Sequence, residues 1–243
     1  ASAVRDYAVN FGVATGNKIA VYTNNDDAYR TAITLNEVGV EVPIIVDARG
    51  SGGGALAERA KALGIRVENG KAISKVFGKK RVEAISICEH KDSGKGNEKI
   101  ACDCIAMSGG WSPVVHLYSH CGGKLKWDEK MALFKPDSSA KPTSHDGLPF
   151  VTAVGSANGF LLMQEVLKDA REGCLEVVEA SGGKVKKESF KLIEQEYENS
   201  LEAIWIAPQD ADIKKRSKIW LDFQNDVKIN DVELAAREGF ESV

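Results

Sequence analysis

The 243-residue sequence holds no apolar run long enough for a membrane span, and nothing at Ala1 resembles a signal peptide. Basic charge is not in excess: 32 Lys and Arg face 35 Asp and Glu, a net charge of −3. Neither nucleic acid nor an anionic membrane surface is therefore expected as a partner. Cysteine is sparse, five residues with no framework spacing, which excludes a disulfide scaffold and suggests a reducing, cytoplasmic setting. No His-Glu-x-x-His pair, no Gly-x-Ser-x-Gly elbow and no P-loop lysine occurs, so zincin, serine-hydrolase and P-loop chemistry are excluded. Cys102, Cys104, His116, His120 and Cys121 lie close in sequence but lack the spacing of a structural zinc site. The Asp and Glu residues read as solvated faces. Neither a catalytic residue nor a metal ligand is expected.

What is present is an alternation of apolar strands and amphipathic helices. Residues 2–11 carry a helical stripe stopped by Gly12. Strands at 18–23, 42–47 and 65–68 alternate with helices at 28–38 and 55–63, the βαβ order that builds a parallel sheet. Residues 72–77 and 81–88 read as antiparallel strands around Gly78-Lys79-Lys80, and 89–99 as an exposed loop. Residues 119–147 read as irregular, with Trp127, Leu133 and Phe134 as anchors. A strand is expected at 150–154, a long helix at 160–180 in which Ala170 and Gly173 permit close packing, and a charged helical segment at 184–202. Residues 203–208 and 218–223 read as strands, and 230–239 as a helix capped by Asn230 and Glu233.

The first βα turn is where a dinucleotide fingerprint would seat phosphates on a helix N-terminus. It reads Thr23-Asn24-Asn25-Asp26-Asp27-Ala28, without glycine. Asp26 and Asp27 suit the positive end of the helix, but they would repel a pyrophosphate. Asp47, ending the second strand, stands where an acid could grip a ribose. The expectation is a nucleotide-binding fold without a nucleotide at this turn.

The organising stretch is the apolar run 100–107, read as one buried strand that delivers Ser108-Gly109-Gly110-Trp111-Ser112-Pro113 at its carboxyl end. Ligands of open α/β sheets sit there, and paired glycines allow close backbone approach. A tight turn with a packed Trp fits the same spacing. The chain begins without Met and ends at Glu241-Ser242-Val243 with no stop signal for its last helix, as expected of a piece of something longer.

Three stretches carry a family likeness: residues 24–32 (NNDDAYRTA), 108–117 (SGGWSPVVHL) and 222–227 (DFQNDV). Together they make the chain resemble the middle of the alpha subunit of heterotetrameric sarcosine oxidase. The resemblance implies an α/β fold. It comprises a Rossmann-like parallel sheet of pyridine-nucleotide-domain type, part of a second nucleotide-binding domain and a small C-terminal helical or irregular segment. The implied divisions are 13–100 for the inserted unit, 1–12 with 101–183 for the returning outer domain, and 184–243 for a linker and small terminal segment.

It also implies a function. The complex oxidises the methyl group of sarcosine to leave glycine, passes the carbon to tetrahydrofolate at an alpha C-terminal domain missing here, and releases hydrogen peroxide. FAD and FMN would lie chiefly on the beta subunit, with gamma and delta subunits as further partners, and NAD on alpha. Residues 110–119 would line that NAD site: Gly110 by close approach, Ser112 and Ser119 by their hydroxyls, and Leu117 as an apolar surface for a flat ring. Ser156, where FAD-binding relatives carry Asp, speaks against a flavin, and the lack of cysteine near 223–227 against an iron–sulfur cluster. A flavoprotein reductase domain and a non-catalytic scaffold are the alternatives.

Overall fold

The computed structural model describes residues 1–96, 98–185, 201–212 and 219–241. The expected charged helix at 184–202 falls largely outside the described residues, as does Lys218 at the start of the last expected strand.

Helix α1 (Ser2–Phe11) ends at Gly12 in the left-handed conformation and leads to β1 (Ile19–Thr23), α2 (Asp27–Glu37), β2 (Ile44–Asp47), α3 (Gly54–Ala62) and β3 (Arg66–Asn69). An antiparallel sheet follows, β4 (Lys71–Phe77), β5 (Ala84–Glu89) and β6 (Glu98–Ala101), and then β7 (Cys104–Ser108). The parallel sheet runs β3-β2-β1-β7. Its two central strands, β1 and β2, are buried on both faces, which is why they read as near-continuous apolar runs. Alternate side chains serve opposite layers. Ile19, Val21, Ile45 and Ala106 pack with α2 and α3, with Val4 and Ala8 of α1 laid against them. Ala20, Ile44 and Val46 pack with Ile85 and Ile87 of the antiparallel sheet. The result is three layers with the parallel sheet in the middle.

The run 100–107 is not one strand. β6 pairs antiparallel with β5, and β7 pairs parallel with β1. Between them the backbone changes sheets: the Cys102 N–H donates to the Glu83 carbonyl at 3.3 Å and the Asp103 N–H to the Lys18 carbonyl at 2.9 Å. Asp103 locks the crossing by accepting the Asn17 and Lys18 N–H groups, each at 2.9 Å. Those backbone donors hold its carboxyl below the usual range. Hence Cys102 and Cys104 do not share a face. Cys102 packs with the antiparallel layer and Cys104 with the helical one.

Residues 119–147 are more regular than expected. After α4 (His116–His120) comes a hairpin of β8 (Leu125–Asp128) and β9 (Leu133–Pro136). Trp127 and Phe134 meet edge to face across it, with ring centroids 5.0 Å apart. Residues 150–154 form no strand; they run extended into a 3₁₀ turn, Gly155–Asn158, followed by α5 (Met163–Ala180). Leu161 and Leu162 therefore precede the helix. Gly173 does permit close packing: a Cβ there would stand 2.4 Å from Val154 Cγ1. Residues 203–208 are not a strand. The terminal piece is β10 (Trp220–Asp222), β11 (Val227–Lys228) and α6 (Ile229–Arg237). Its capping carboxylate is Asp231, which accepts the Lys228 N–H at 2.8 Å, two residues earlier than the sequence suggested. Among the described residues no helix is long and apolar enough to cross a membrane.

Candidate functional site

The order β3-β2-β1-β7 reverses direction between β1 and β7, and a crevice opens there beyond the carboxyl ends of such strands. Here side-chain amides bridge it. Asn24 Nδ2 donates to the Gly109 carbonyl at 3.2 Å, and Asn25 Nδ2 donates to Ser108 Oγ at 2.8 Å and to the Ser108 carbonyl at 3.1 Å. The turn expected to reject phosphate is built around a buried charge network. Arg49 Nη2 donates to Asp26 Oδ1 at 2.6 Å and to Asp47 Oδ2 at 2.7 Å, and Arg49 Nε donates to Asp47 Oδ1 at 3.0 Å. The Tyr29 hydroxyl donates to Asp47 Oδ2 at 2.8 Å, and the Gly53 N–H to Asp26 Oδ1 at 2.9 Å. These Arg49, Asp26 and Asp47 side chains are at most 1% exposed.

Burial opposes the guanidinium charge, yet the hydrogen bonds and charges of Asp47 and Asp26 outweigh it and hold Arg49 above its ordinary pKa. Burial first, then Asp47, raises the Tyr29 phenol. Asp26 and Asp47 are thus engaged inside the protein, and Asp26 makes no side-chain cap to α2. Asp27 turns the other way and takes a two-pronged bond from Arg5, at 3.0 and 3.3 Å, fastening α1 to α2. Sequence reasoning passed over the glycine run 52–54 that permits the network. A Cβ at Gly52 would stand 2.0 Å from Asp47 Oδ2, and Gly53 has φ +82° with the Tyr29 ring against it.

A separate open cleft of about 290 Å³ is lined by Trp111, Ser112, Val114, Ser156, Ala157 and Leu161. It joins the loop after β7 to the 3₁₀ turn before α5. Asp169 of α5 positions that turn, accepting the Gly155 N–H at 2.6 Å and Asn158 Nδ2 at 3.2 Å. Gly155, at φ +62°, fits beneath Val166, whose Cγ1 a Cβ would approach to 3.0 Å. Of the four residues expected to contact a dinucleotide, the structure puts Ser112 in this cleft. Gly110 lies beside it in sequence at φ +101°, with the Leu201 side chain against its Cα. Leu117, 79% exposed, and Ser119 stand two residues apart on α4, a spacing that sends side chains to different sides of a helix. Trp111, expected to be a packing anchor, is 41% exposed and forms a wall of the cleft. Ser156, noted in the sequence only as a departure from the flavin pattern, faces the same space as Ser112.

Two of the cysteines are buried in the antiparallel layer. Burial pushes the Cys88 and Cys102 thiols up, away from the thiolate. All five cysteines are free. Among the described residues no three His, Cys, Asp or Glu side chains gather as a metal site.

No family model matches the sequence. The chain is 35% identical over its whole length to sarcosine oxidase subunit alpha of Rhizobium meliloti, strain 1021, and it spans 22% of that relative. It is also 35% identical, over 57% of its length, to sarcosine oxidase subunit alpha of Corynebacterium sp., strain P-1, covering 15% of that relative. Among solved structures it is similar in fold to a T. acidophilum thioredoxin reductase. That match has a TM-score of 0.52 and 16% identity, and it covers 68% of this chain and 53% of that one.

Proposed function

This chain is, over its whole length, a homologue of part of the sarcosine oxidase alpha subunit, and from that premise we propose that it is the central, nucleotide-contacting part of such a subunit. The observation that carries the reading is the end-to-end 35% identity. In this reading residues 13–100 are the inserted pyridine-nucleotide-type unit, 1–12 with 101–183 the returning outer domain, and 184–243 a linker and terminal segment. The whole enzyme would be a cytoplasmic heterotetramer with beta, gamma and delta subunits. It would demethylate sarcosine to glycine, hand the carbon to tetrahydrofolate and release hydrogen peroxide, with FAD and FMN chiefly on beta.

The proposed place for NAD is the wall formed by residues 110–119 and the turn at 155–158. Donor chemistry supports this choice over the first βα turn. Ser112 and Ser156 bring two hydroxyls and no carboxylate to the cleft lining, whereas the four amides and carboxylates of the first turn, Asn24, Asn25, Asp26 and Asp27, each already hold a partner within the protein. An NAD bound there would bring a hydride-accepting ring. The chain's own residues would do the binding: Ser112 and Ser119 hydrogen-bonding to ribose or phosphate, and Leu117 offering an apolar surface, whereas the space at Gly110 is taken by Leu201. None of them is an acid or a base, so the oxidation itself belongs elsewhere in the complex.

The test is Ser112→Ala in the full-length subunit. One lost hydrogen bond of about 1 kcal/mol predicts several-fold weaker NAD retention. Unchanged NAD content after replacing Ser112, Leu117 and Ser119 together would make the loop structural. A scaffold reading has one observation in its favour, the bridged crevice between β1 and β7. Calorimetric titration of this chain with NAD and with FAD separates the two readings.

A further inference from the structure

Residues 201–212 do not fold back as a strand. They run from the carboxyl ends of β1 and β7 to the loop after β5, fastened at both ends. At one end Asn24, just past β1, grips the segment twice: its Nδ2 donates to the Glu202 carbonyl at 2.7 Å, and its carbonyl accepts the Glu202 N–H at 3.4 Å. Leu201 lies against Gly110, just past β7; a Cβ there would stand 2.8 Å from Leu201 Cδ1. At the other end the Gln209 N–H donates to the His90 carbonyl at 2.7 Å and the Asp210 N–H to the Asp92 carbonyl at 3.2 Å. Pro208 and Ala211, both buried, flank Gly94, where a Cβ would stand 3.4 Å from Pro208 Cγ and 3.6 Å from Ala211 Cβ. Midway, the Trp205 ring stacks on Trp127 of the β8–β9 hairpin, with centroids 6.4 Å apart.

The first of these anchors sits at the reversal point between β1 and β7, the place where doubly wound sheets receive a nucleotide. We infer that residues 201–212 are a strap whose first two residues, Leu201 and Glu202, are a built-in occupant of this crevice, excluding nicotinamide nucleotide from it and binding the C-terminal region to the sheet. The chemistry is self-consistent. Asn24 offers the strap one amide donor and one carbonyl, the pair an extended backbone requires. A side chain at position 110 would collide with Leu201, so the left-handed Gly110, φ +101°, serves the strap directly. The inference does not depend on NAD binding at the 111–161 cleft, because the strap lies on the Asn24 side of the loop.

Hydrogen exchange followed by mass spectrometry on the whole chain tests it, using peptides that cover 201–212, 89–94 and 19–23. Asn24→Ala removes the side-chain half of the sheet-side grip, and Leu201→Ser alters the strap without touching the sheet. Each is expected to speed exchange in 201–212 about five- to tenfold, the effect of one lost hydrogen bond or apolar contact, while 19–23 stays protected. Trp205→Ala is expected to loosen 201–212 to a smaller degree. NAD or NADPH at millimolar concentration is expected to leave exchange in 201–212 of the unaltered chain unchanged. Equal exchange in Leu201→Ser and unaltered chain would overturn the strap. Faster exchange of 201–212 on adding either nucleotide would overturn the exclusion. Loss of NAD after Ser112→Ala in the full-length subunit concerns the other cleft and decides neither point.

Discussion

Arg49 holds two carboxylates that the sequence places 21 residues apart, Asp26 and Asp47, and all three are shut away from water. A buried ion pair adds little net stability when intact, but breaking one strands charge in a low-dielectric interior. Arg49→Met is therefore expected to destabilise the chain by about 3–5 kcal/mol, read from urea unfolding. Urea unfolding indistinguishable from that of the unaltered chain would contradict the network as drawn. Asp103 gives a second residue-scale prediction. Its folded pKa lies below the ordinary value because the Asn17 and Lys18 N–H groups point at it. A depressed carboxyl stabilises the fold fully above its unfolded pKa, near 4, and that contribution fades as pH falls through the lower folded value. Asp103→Asn should cost about 1–3 kcal/mol at neutral pH and nothing extra in strong acid, and melting curves across pH check the convergence.

At the scale of elements, the 3₁₀ turn at 155–158 is a small structure held by a large one. Asp169 and Val166 of α5 fasten the turn, and Gly173 one helical turn further on receives Val154. Gly173→Val would push Val154 aside and tilt the turn that carries Ser156. We expect a loss of about 1–3 kcal/mol from overpacking, together with faster amide exchange at Gly155. A higher melting temperature would show that the helix tolerates the side chain and that α5 does not set the turn. The same logic explains α1, an amphipathic helix docked through Val4, Ala8 and the Arg5–Asp27 pair; that pair is partly exposed and adds little.

At the scale of the molecule, residues 1–108 form three layers, and the crevice between β1 and β7 is bridged by amides and by the Glu202 end of the strap. The open cleft brings hydroxyls but no acid–base pair. Purified by itself, without flavin, the chain is expected to produce no hydrogen peroxide from sarcosine. A peroxide assay checks this, and steady production would place an active site here that the structure does not suggest. Burial raises the Tyr22 phenol to about 12, with Cys88 and Asp47 adding to it, so this tyrosine stays protonated and supplies no base near neutral pH.

Much of the fold was legible because it is local. The βαβ order from 18 to 68, the stop at Gly12, the antiparallel pair after Gly70 and the close-packing glycine at 173 all follow from periodicity and side-chain size. That the turn Asn24-Asn25-Asp26-Asp27 carries two carboxylates and no glycine was legible too; that Arg49 holds Asp26 was not. Tertiary structure decided what periodicity cannot carry. The apolar run 100–107 reads as one strand, but two sheets compete for it, and Asp103 settles the crossing through donors 86 and 85 residues away. Residues 150–154 have the composition of a strand but pair with no strand among the described residues, and they stay extended. Asp26 looked like a helix cap, yet a guanidinium 23 residues away is the stronger partner for a buried carboxylate. The strap was least legible of all: Asn24 and Glu202 are 178 residues apart, and a hydrogen bond between a side-chain amide and a distant backbone leaves no pattern in the order of residues.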